Sequence, residues 1–141
     1  MATLTIIRGT PGSGKSTYAK QHFNCLILEN DMLHQIDGEY KWSARVMNFA
    51  TQFVYDTTKA VLKNGRDVCV CNTFTKRKYL KLYKDLAEEC NAKFKVIRVN
   101  GDFGNIHNVP AETLKNMKEH FEDWEDEEIV TPTFQVSFQA S

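Results

Sequence analysis

The sequence contains no run of about 18 apolar residues, and therefore predicts no membrane-spanning helix. Its N-terminus lacks a basic start followed by an apolar stretch and a small-residue cleavage site, which argues against a secretion signal. Internal repeats, low-complexity segments and linkers are also absent from the 141 residues. These absences predict one cytoplasmic domain over residues 1–141, long enough to bury a substantial core.

Cysteine is present, but without the spacing of metal ligands. Cys25, Cys69, Cys71 and Cys90 fall within predicted strands and a helix. Because side chains alternate across a strand, we expect Cys69 and Cys71 to share one face and to pack in the core. This pattern indicates reduced cysteines, as in the cytoplasm, and argues against a zinc site.

Net charge is lacking as well, since 18 basic residues balance 18 acidic ones. Six of the acidic residues lie within 122–128, so the rest of the chain has an excess of six positive charges, which suits a polyanionic partner. A solvated helix end is the commoner reason for such a run, and we interpret 122–141 as an acidic helix end followed by a tail. The alternating apolar residues at 134, 136 and 138 leave open whether 129–141 is a tail or an added edge strand.

Strand-like apolar runs alternate with helical patterns along the chain. The predicted strands cover 4–8, 25–28, 68–71 and 94–99; the predicted helices cover 15–23, 32–36, a long segment from the cap Ser43 to Asn64-Gly65, 75–90, and a last helix with Pro110 at its first position. Repeated strand–helix–strand units predict a three-layer α/β fold, a small parallel sheet flanked by helices. Ligands in such folds bind beyond the carboxyl ends of the strands.

The most informative stretch is Gly9-Thr10-Pro11-Gly12-Ser13-Gly14-Lys15-Ser16, followed by Thr17. It fits the pattern G-x-x-x-x-G-K-S/T and lies between a predicted strand and a predicted helix, as a phosphate-binding loop must. The glycines let backbone N–H groups face inward and form a nest for anionic oxygens. The loop predicts binding of a nucleoside triphosphate, with Lys15 on the β- and γ-phosphates and Ser16 on Mg²⁺. The residues assigned to the nucleotide are Thr10, Gly12, Ser13, Gly14, Lys15, Ser16 and Thr17.

Asp31 is the candidate catalytic base, because it directly follows a strand expected beside the phosphate loop. A carboxylate there can accept the proton of an attacking hydroxyl, as an Asp does in kinases. A second interpretation is equally compatible with the local sequence: Asp31 caps the short helix predicted after it.

Several segments together resemble one group of proteins. They are Arg8-Gly9-x-Pro11-Gly12-Ser13-Gly14-Lys15-Ser16-Thr17, Asn30-Asp31, Asp37-Gly38-x-Tyr40, Asn72-Thr73 and Asn105-x-His107-x-Val109-Pro110. In this order they resemble the small P-loop kinases related to the phage polynucleotide 5′-kinase domain and to P-loop proteins labelled AAA-family ATPases. The resemblance covers about residues 3–124. It implies a P-loop kinase fold, transfer of the γ-phosphate of ATP to a hydroxyl, often the 5′-OH of a nucleic acid, and Asp31 as the base.

The resemblance also implies an acceptor site and a lid. The implied acceptor-binding residues are His34, Tyr40, Asn72 and Thr73. For Tyr40 a second interpretation is that the ring only packs against its neighbours, as aromatic residues before a long helix usually do. The implied lid covers about 100–109 and contains Asn105 and His107, which would orient the lid or the nucleotide. A lone histidine in a loop is otherwise a structural hydrogen-bonding residue.

Three features depart from the pattern of that group: two acceptor-site positions and the lid. Its polynucleotide kinases have an arginine where this chain has His34 and an aspartate where it has Asn72, so we expect a different acceptor site. Phe103 and Gly104 stand where the lid usually carries arginines, which contribute strongly to phosphoryl transfer. A Walker-B acid is also missing, because the third strand ends at Asn72. The cations that could replace the lid arginines are Arg45, Arg77, Arg98 and Lys115, or a residue of another chain.

The sequence thus predicts an ATP- and Mg²⁺-dependent kinase acting on a hydroxyl of a nucleic acid or nucleotide. Two alternatives stay open: a nucleotide-binding module with weak catalysis that acts through a partner, and a kinase for a nucleoside, a modified base or a sugar nucleotide. The missing lid arginines and Walker-B acid favour the module, whereas Asp31 favours a kinase. The oligomeric state is not predicted.

Overall fold

A computed structural model describes residues 1–30, 43–103 and 109–132, together with the backbone of 35–36 and 39–40. The elements in chain order are β1 (Thr3–Arg8), α1 (Lys15–His22), β2 (Leu26–Glu29), β3 (Gln35–Ile36), β4 (Glu39–Tyr40), α2 (Ala44–Lys63), β5 (Val68–Asn72), α3 (Arg77–Glu89), β6 (Lys93–Val99), α4 (Ala111–Glu119) and β7 (Glu128–Val130). Apart from β3 and β4, the predicted alternation of strands and helices is confirmed over these residues. None of the helices within them has the length and apolarity to span a bilayer.

Five strands form one parallel sheet in the order β2-β5-β1-β6-β7. The central strand β1 places Arg8 beside Asn72 of β5 and beside Arg98 of β6. Because all five strands run in one direction, their carboxyl ends lie along one edge, where the glycine-rich loop begins. The predicted three-layer α/β fold with a small parallel sheet is confirmed.

Apolar side chains pack on both faces of this sheet. One buried cluster joins Leu4 and Ile6 of β1 to residues of α2 and α3, and the other joins Ile7 to Ala19 of α1. Cys69 and Cys71 lie together in the second cluster, as strand alternation predicts. Burial is the main cause that raises the pKa of Cys71 to about 12, so this side chain stays a neutral thiol.

The long helix α2 has the predicted ends. The Ser43 hydroxyl accepts a hydrogen bond from the Val46 N–H at 3.1 Å, and Gly65 follows the helix with φ +75°, a left-handed conformation that favours glycine. Apolar residues of α2 differ in burial: Ala50 and Val54 are buried, but Phe53 is 45% exposed. An apolar residue at helical spacing is therefore not always a core residue here.

The helix α3 begins two residues later than predicted and buries only part of its apolar side. Leu80, Tyr83 and Leu86 are buried, whereas Tyr79 and Leu82 are nearly half exposed. Two overlapping apolar stripes fit the same periodicity, and contact with the sheet selects one of them. Helical spacing alone would put Tyr79 and Leu82 on the same apolar side as Tyr83 and Leu86, but the Tyr79 and Leu82 side chains do not belong to the core.

The helical piece predicted at 32–36 was also wrong for its last two residues. Gln35 and Ile36 form β3, which pairs antiparallel with Glu39 and Tyr40 of β4 and leaves residues 37 and 38 between the strands. Those residues are the Asp-Gly pair, a dipeptide that strongly favours a two-residue hairpin connection. The pair and residues 31–34 lie outside the described chain.

The chain after β6 differs from its prediction in two ways. Pro110 is the N-cap of α4 and not its first helical residue, and α4 ends at Glu119, before the acidic run. The run is therefore not a helix end; it connects α4 to β7, which pairs parallel with β6. The edge-strand interpretation of 129–141 holds for Ile129 and Val130, and residues 133–141 lie outside the described chain.

The acidic run closes over a buried arginine. The Arg8 side chain is inaccessible to solvent, and its Nε and Nη2 donate to the Phe74 carbonyl at 3.1 and 2.8 Å. Nη2 also donates to the Glu122 carbonyl at 2.6 Å, and Nη1 forms an ion pair with the nearly buried Glu127 carboxylate at 2.6 Å. Burial lowers the pKa of Arg8, and the hydrogen bond and charge of Glu127 oppose that shift.

A second arginine, on β6, also binds residues of the acidic run. Arg98 binds the Asp123 carboxylate at 2.7 Å and approaches Glu127 at 3.5 Å. The ring of Phe121 lies between the two guanidinium groups, 4.2 Å from Arg8 and 4.4 Å from Arg98. Three charged pairs and one aromatic ring thus hold the segment before β7 against the centre of the sheet.

Removing the Glu127 carboxylate should destabilise the fold. In Glu127→Ala, Arg8 would lose its ion-pair partner inside the protein, and we expect a loss of about 3–5 kcal/mol in the free energy of unfolding. Urea denaturation measures this loss. Glu125→Ala removes an exposed carboxylate from the same run and is the matched control. Equal stability of the two variants would contradict the structural role of the buried pair.

Candidate nucleotide-binding site

The loop between β1 and α1 has the conformation that its glycines allow. Gly12 and Gly14 have φ values of +81° and +92°, in the left-handed region that residues with a side chain rarely adopt. The Ser13 N–H donates to the Thr10 carbonyl at 3.1 Å and closes a turn within the loop. The predicted strand–loop–helix setting is present.

The loop ends at an uncapped helix N-terminus. Gly14 is the N-cap of α1, no side chain of the described residues caps the helix, and its first turn has no acidic residue. First-turn N–H groups and the helix dipole therefore favour an anion at this point. Lys15 adds a positive charge, with its Nζ 3.5 Å from the Thr10 carbonyl across the loop. These groups fit the phosphates of a nucleotide.

Close packing beneath the loop explains why residue 9 is a glycine. A methyl group on Gly9 would collide with the Ser13 hydroxyl and would lie 2.6 Å from the Val99 carbonyl of β6. Ser13 is 1% exposed, and its Oγ is the buried side-chain atom without a hydrogen-bond partner among the described residues. The loop therefore rests directly on the end of the neighbouring strand.

The segment after β6 supports the loop from the other side. The Gly101 N–H donates to the Ser13 carbonyl at 3.0 Å, and the Phe103 N–H donates to the Gly12 carbonyl at 2.8 Å. Residues 100–103, the first part of the predicted lid, are thus fastened to the phosphate loop. The rest of that segment, including Asn105 and His107, lies outside the described residues.

A carboxylate that the sequence analysis did not select contacts the loop serine. The Ser16 hydroxyl donates to Oε1 of Glu29, the last residue of β2. Hydroxyl and carboxylate oxygens are ligands suited to Mg²⁺, so these two side chains fit the ion that the loop implies. The described chain contains no cluster of three His, Cys, Asp or Glu side chains able to hold a metal by themselves. In the sequence, only the position of Glu29 at a strand end could have indicated its contact with Ser16.

The ends of β2 and β5 are joined by two asparagines. The Asn30 N–H donates to the Asn72 Oδ1 at 3.0 Å, and the Asn72 Nδ2 donates back to the Asn30 Oδ1 at 3.3 Å. The Asn30 amide also donates to the Thr51 hydroxyl of α2 at 3.2 Å. Asn72, predicted to contact the acceptor, thus forms a link between strands at the carboxyl edge, and the half-buried Thr73 follows it.

The remaining predicted residues divide into two groups. Thr17 lies exposed in the first turn of α1, next to the loop residues already described. Asp31, His34 and the side chain of Tyr40 lie outside the described residues, although Asp31 directly follows Asn30 in the chain. Their roles stay predictions.

The four candidate replacements for lid arginines have different surroundings. Arg98 is paired with Asp123 and Glu127, and the Arg77 Nε donates to the Asp123 carbonyl at 2.8 Å. Lys115 lies 4.0 Å from Glu119 on the surface of α4. Arg45 is exposed in the first turn of α2 and has no ion pair with any described residue. Arg45 is therefore the candidate whose charge is least engaged within the described protein.

The sheet and loop define a P-loop kinase-like domain, and comparison with known proteins gives its family. The family model AAA_33, described as an AAA domain, matches residues 4–102, and the chain belongs to this family. A relative from Pasteurella multocida (strain Pm70), named Uncharacterized protein PM0531, is 32% identical over 158 residues. That match covers 99% of this chain and 88% of the relative.

Solved structures of similar shape include nucleotide-bound and kinase proteins. Kti12 of Chaetomium thermophilum in complex with ADP-AlF3 has a TM-score of 0.70 at 12% identity, covering 97% of this chain and 94% of that one. A gluconokinase from Sinorhizobium meliloti 1021 has a TM-score of 0.60 at 15% identity, covering 97% and 86%. At such identities the likeness shows the fold.

The comparison gives the resemblance to polynucleotide kinases only partial support. The Pnkp1/Rnl/Hen1 complex contains a similar chain, with a TM-score of 0.59 at 23% identity. The match covers 82% of this chain but 38% of that one. The P-loop kinase-like fold is therefore shown, and the polynucleotide acceptor stays a prediction.

Replacing Gly9 by alanine should weaken nucleotide binding, because the methyl group would displace the loop from the Val99 carbonyl. Calorimetric titration with ADP and Mg²⁺ measures the affinity. Gly65→Ala is the control: its φ of +75° strains an alanine and lowers stability, but this residue follows α2, away from the loop. Unchanged ADP affinity in folded Gly9→Ala would show that the loop tolerates displacement.

Proposed function

We propose that the chain is an ATP-dependent phosphotransferase that moves the γ-phosphate of ATP to the 5′-hydroxyl of a nucleic acid. The observation that carries this proposal is the glycine loop at an uncapped helix N-terminus, with Lys15 and Ser16 beside it. Such a nest of N–H groups recognises phosphate oxygens. The family and the kinase-like fold agree with phosphoryl transfer.

Each residue has a defined role in this proposal. The backbone N–H groups of residues 12–17 and the Lys15 ammonium hold the phosphates, and Ser16 holds Mg²⁺, which neutralises charge on the transferred group. Asp31 accepts the proton of the acceptor hydroxyl as its oxygen bonds to the γ-phosphorus and the bond to ADP breaks. The links from Asn30 to Asn72 and Thr51 support this role, because they fix the chain next to Asp31.

Helix α2 supports a nucleic acid as the acceptor. It runs opposite to the strands, so Arg45 in its first turn lies toward the carboxyl edge of the sheet. Phe49 and Phe53 follow at intervals of four residues, are 63% and 45% exposed, and have stacked rings with centroids 6.1 Å apart. Exposed aromatic rings beside a cation suit the bases and phosphates of a single strand.

The second candidate is a nucleotide-binding module with weak catalysis. It is favoured by the engagement of Arg98 and Arg77 with the acidic run and by the neutral Asn72 at the end of β5. In this case the loop would bind ATP, and a partner would complete the site. Phosphoryl transfer by the purified chain separates the two candidates.

Asp31→Asn should lower the rate of phosphoryl transfer by about 10²–10⁴-fold while ATP still binds, because the base is lost and the loop is intact. The assay uses γ-labelled ATP with 5′-OH DNA, 5′-OH RNA, hydroxymethylated DNA, nucleosides and nucleoside monophosphates. Lys15→Ala is the comparison, in which ATP binding itself should fail. Full activity of Asp31→Asn would refute the proposed base, and label in small acceptors alone would refute the nucleic acid.

Arg45→Gln should weaken binding of a 5′-OH oligonucleotide and leave ADP binding unchanged. Loss of one phosphate contact to a single strand should reduce the slope of log K against log salt by about 0.7. The control Arg66→Gln removes an exposed arginine from the loop before β5, at the opposite edge of the sheet. Identical salt slopes in the two variants would exclude Arg45 from the acceptor site.

A further inference from the structure

The strand next to the phosphate loop lacks an acidic residue at its end. Asn72 ends β5 directly beside Arg8 of β1, and its side-chain amide is hydrogen-bonded to Asn30. A neutral amide in this position gives little electrostatic support to a divalent cation. An acid that supports Mg²⁺ at this site would therefore have to come from another element.

We propose that Glu29 supplies this acid, as a positioning residue that orients Ser16 and the water molecules of a Mg²⁺ ion bound with the nucleotide. The inference rests on the nucleotide binding of the proposed function and adds a residue to that site. Its basis is the contact between the Glu29 carboxylate and the Ser16 hydroxyl, the side chain assigned to the metal. Mg²⁺ usually keeps several waters, which a nearby carboxylate can hold by hydrogen bonds.

The backbone fixes Glu29 in this position. β2 is hydrogen-bonded to β5 in parallel register, with Glu29 opposite Cys71, and the next residue, Asn30, is held by Asn72. Glu29 and Lys15 also act on the same thiol in opposite directions: the carboxylate raises the pKa of Cys71 and the ammonium lowers it, both less than burial does. Both charged groups thus act on the Cys71 side chain of the neighbouring strand β5.

A purely structural role for Glu29 makes a different prediction. If the carboxylate only anchors the start of α1 through Ser16, its removal would disturb the whole loop. Nucleotide affinity would then fall equally with and without metal. If it supports Mg²⁺, its removal should affect only the metal-bound nucleotide, since a nearby negative charge repels a metal-free triphosphate.

The test compares the affinity of a non-hydrolysable ATP analogue in Mg²⁺ and in EDTA by calorimetric titration. In Glu29→Gln we expect about 10- to 100-fold weaker binding in Mg²⁺, the usual effect of losing an outer-shell ligand, and unchanged or tighter binding in EDTA. Glu29→Asp keeps the charge and should recover part of the Mg²⁺ effect. Glu88→Gln removes an exposed carboxylate near the far end of α3 and should leave both affinities unchanged.

If Glu29→Gln loses affinity for the analogue equally in Mg²⁺ and in EDTA, or loses no affinity in either, the inference is overturned. If Glu29→Gln does not fold, as judged by thermal denaturation, Glu29→Asp carries the comparison: its Mg²⁺ affinity must fall while its EDTA affinity does not. The readout is independent of the acceptor. A Mg²⁺-specific effect without phosphoryl transfer would refute the proposed function and leave this inference standing.

Discussion

The carboxyl edge of the sheet depends on the buried guanidinium of Arg8. It ends the central strand and directly precedes Gly9, and a charge in this position requires partners because its desolvation is costly. The partners are the Phe74 carbonyl after β5 and the Glu122 carbonyl and Glu127 carboxylate before β7. One cation therefore links the start of the phosphate loop to two segments far away in sequence.

The carboxyl edge of the sheet is built from segments fastened to one another in the same manner. Backbone bonds join residues 101 and 103 to the phosphate loop, and reciprocal amide bonds join β2 to β5. A nest of N–H groups held in this way needs little rearrangement to bind phosphate, which favours affinity. The start of α2 is different: its polar and aromatic side chains are exposed, as suits a surface that meets a large acceptor.

Local signals in the sequence predicted the parts of the fold that depend on few neighbouring residues. The glycine loop, the Ser43 cap and the end of α2 at Gly65 follow from backbone conformation alone. The role of the acidic run could not be predicted in this way, because Arg8 and Glu127 are 119 residues apart and no local pattern connects them. Glu29 was missed for the same reason: its contact with Ser16 exists only once β2 lies in the sheet.

The position of the acidic run also changes the electrostatic argument for a polyanionic partner. With that run set aside, the chain has an excess of six positive charges. However, Glu127 binds Arg8, Asp123 binds Arg98, and the Glu122 carboxylate accepts a hydrogen bond from the Arg77 N–H. Two of the acidic charges, those of Glu127 and Asp123, are therefore paired with basic residues within the protein, which weakens the case for long-range attraction of a polyanion. Affinity for a nucleic acid must then come from local contacts, and the exposed Arg45 and the aromatic rings that follow it on α2 are the described groups best placed to make them.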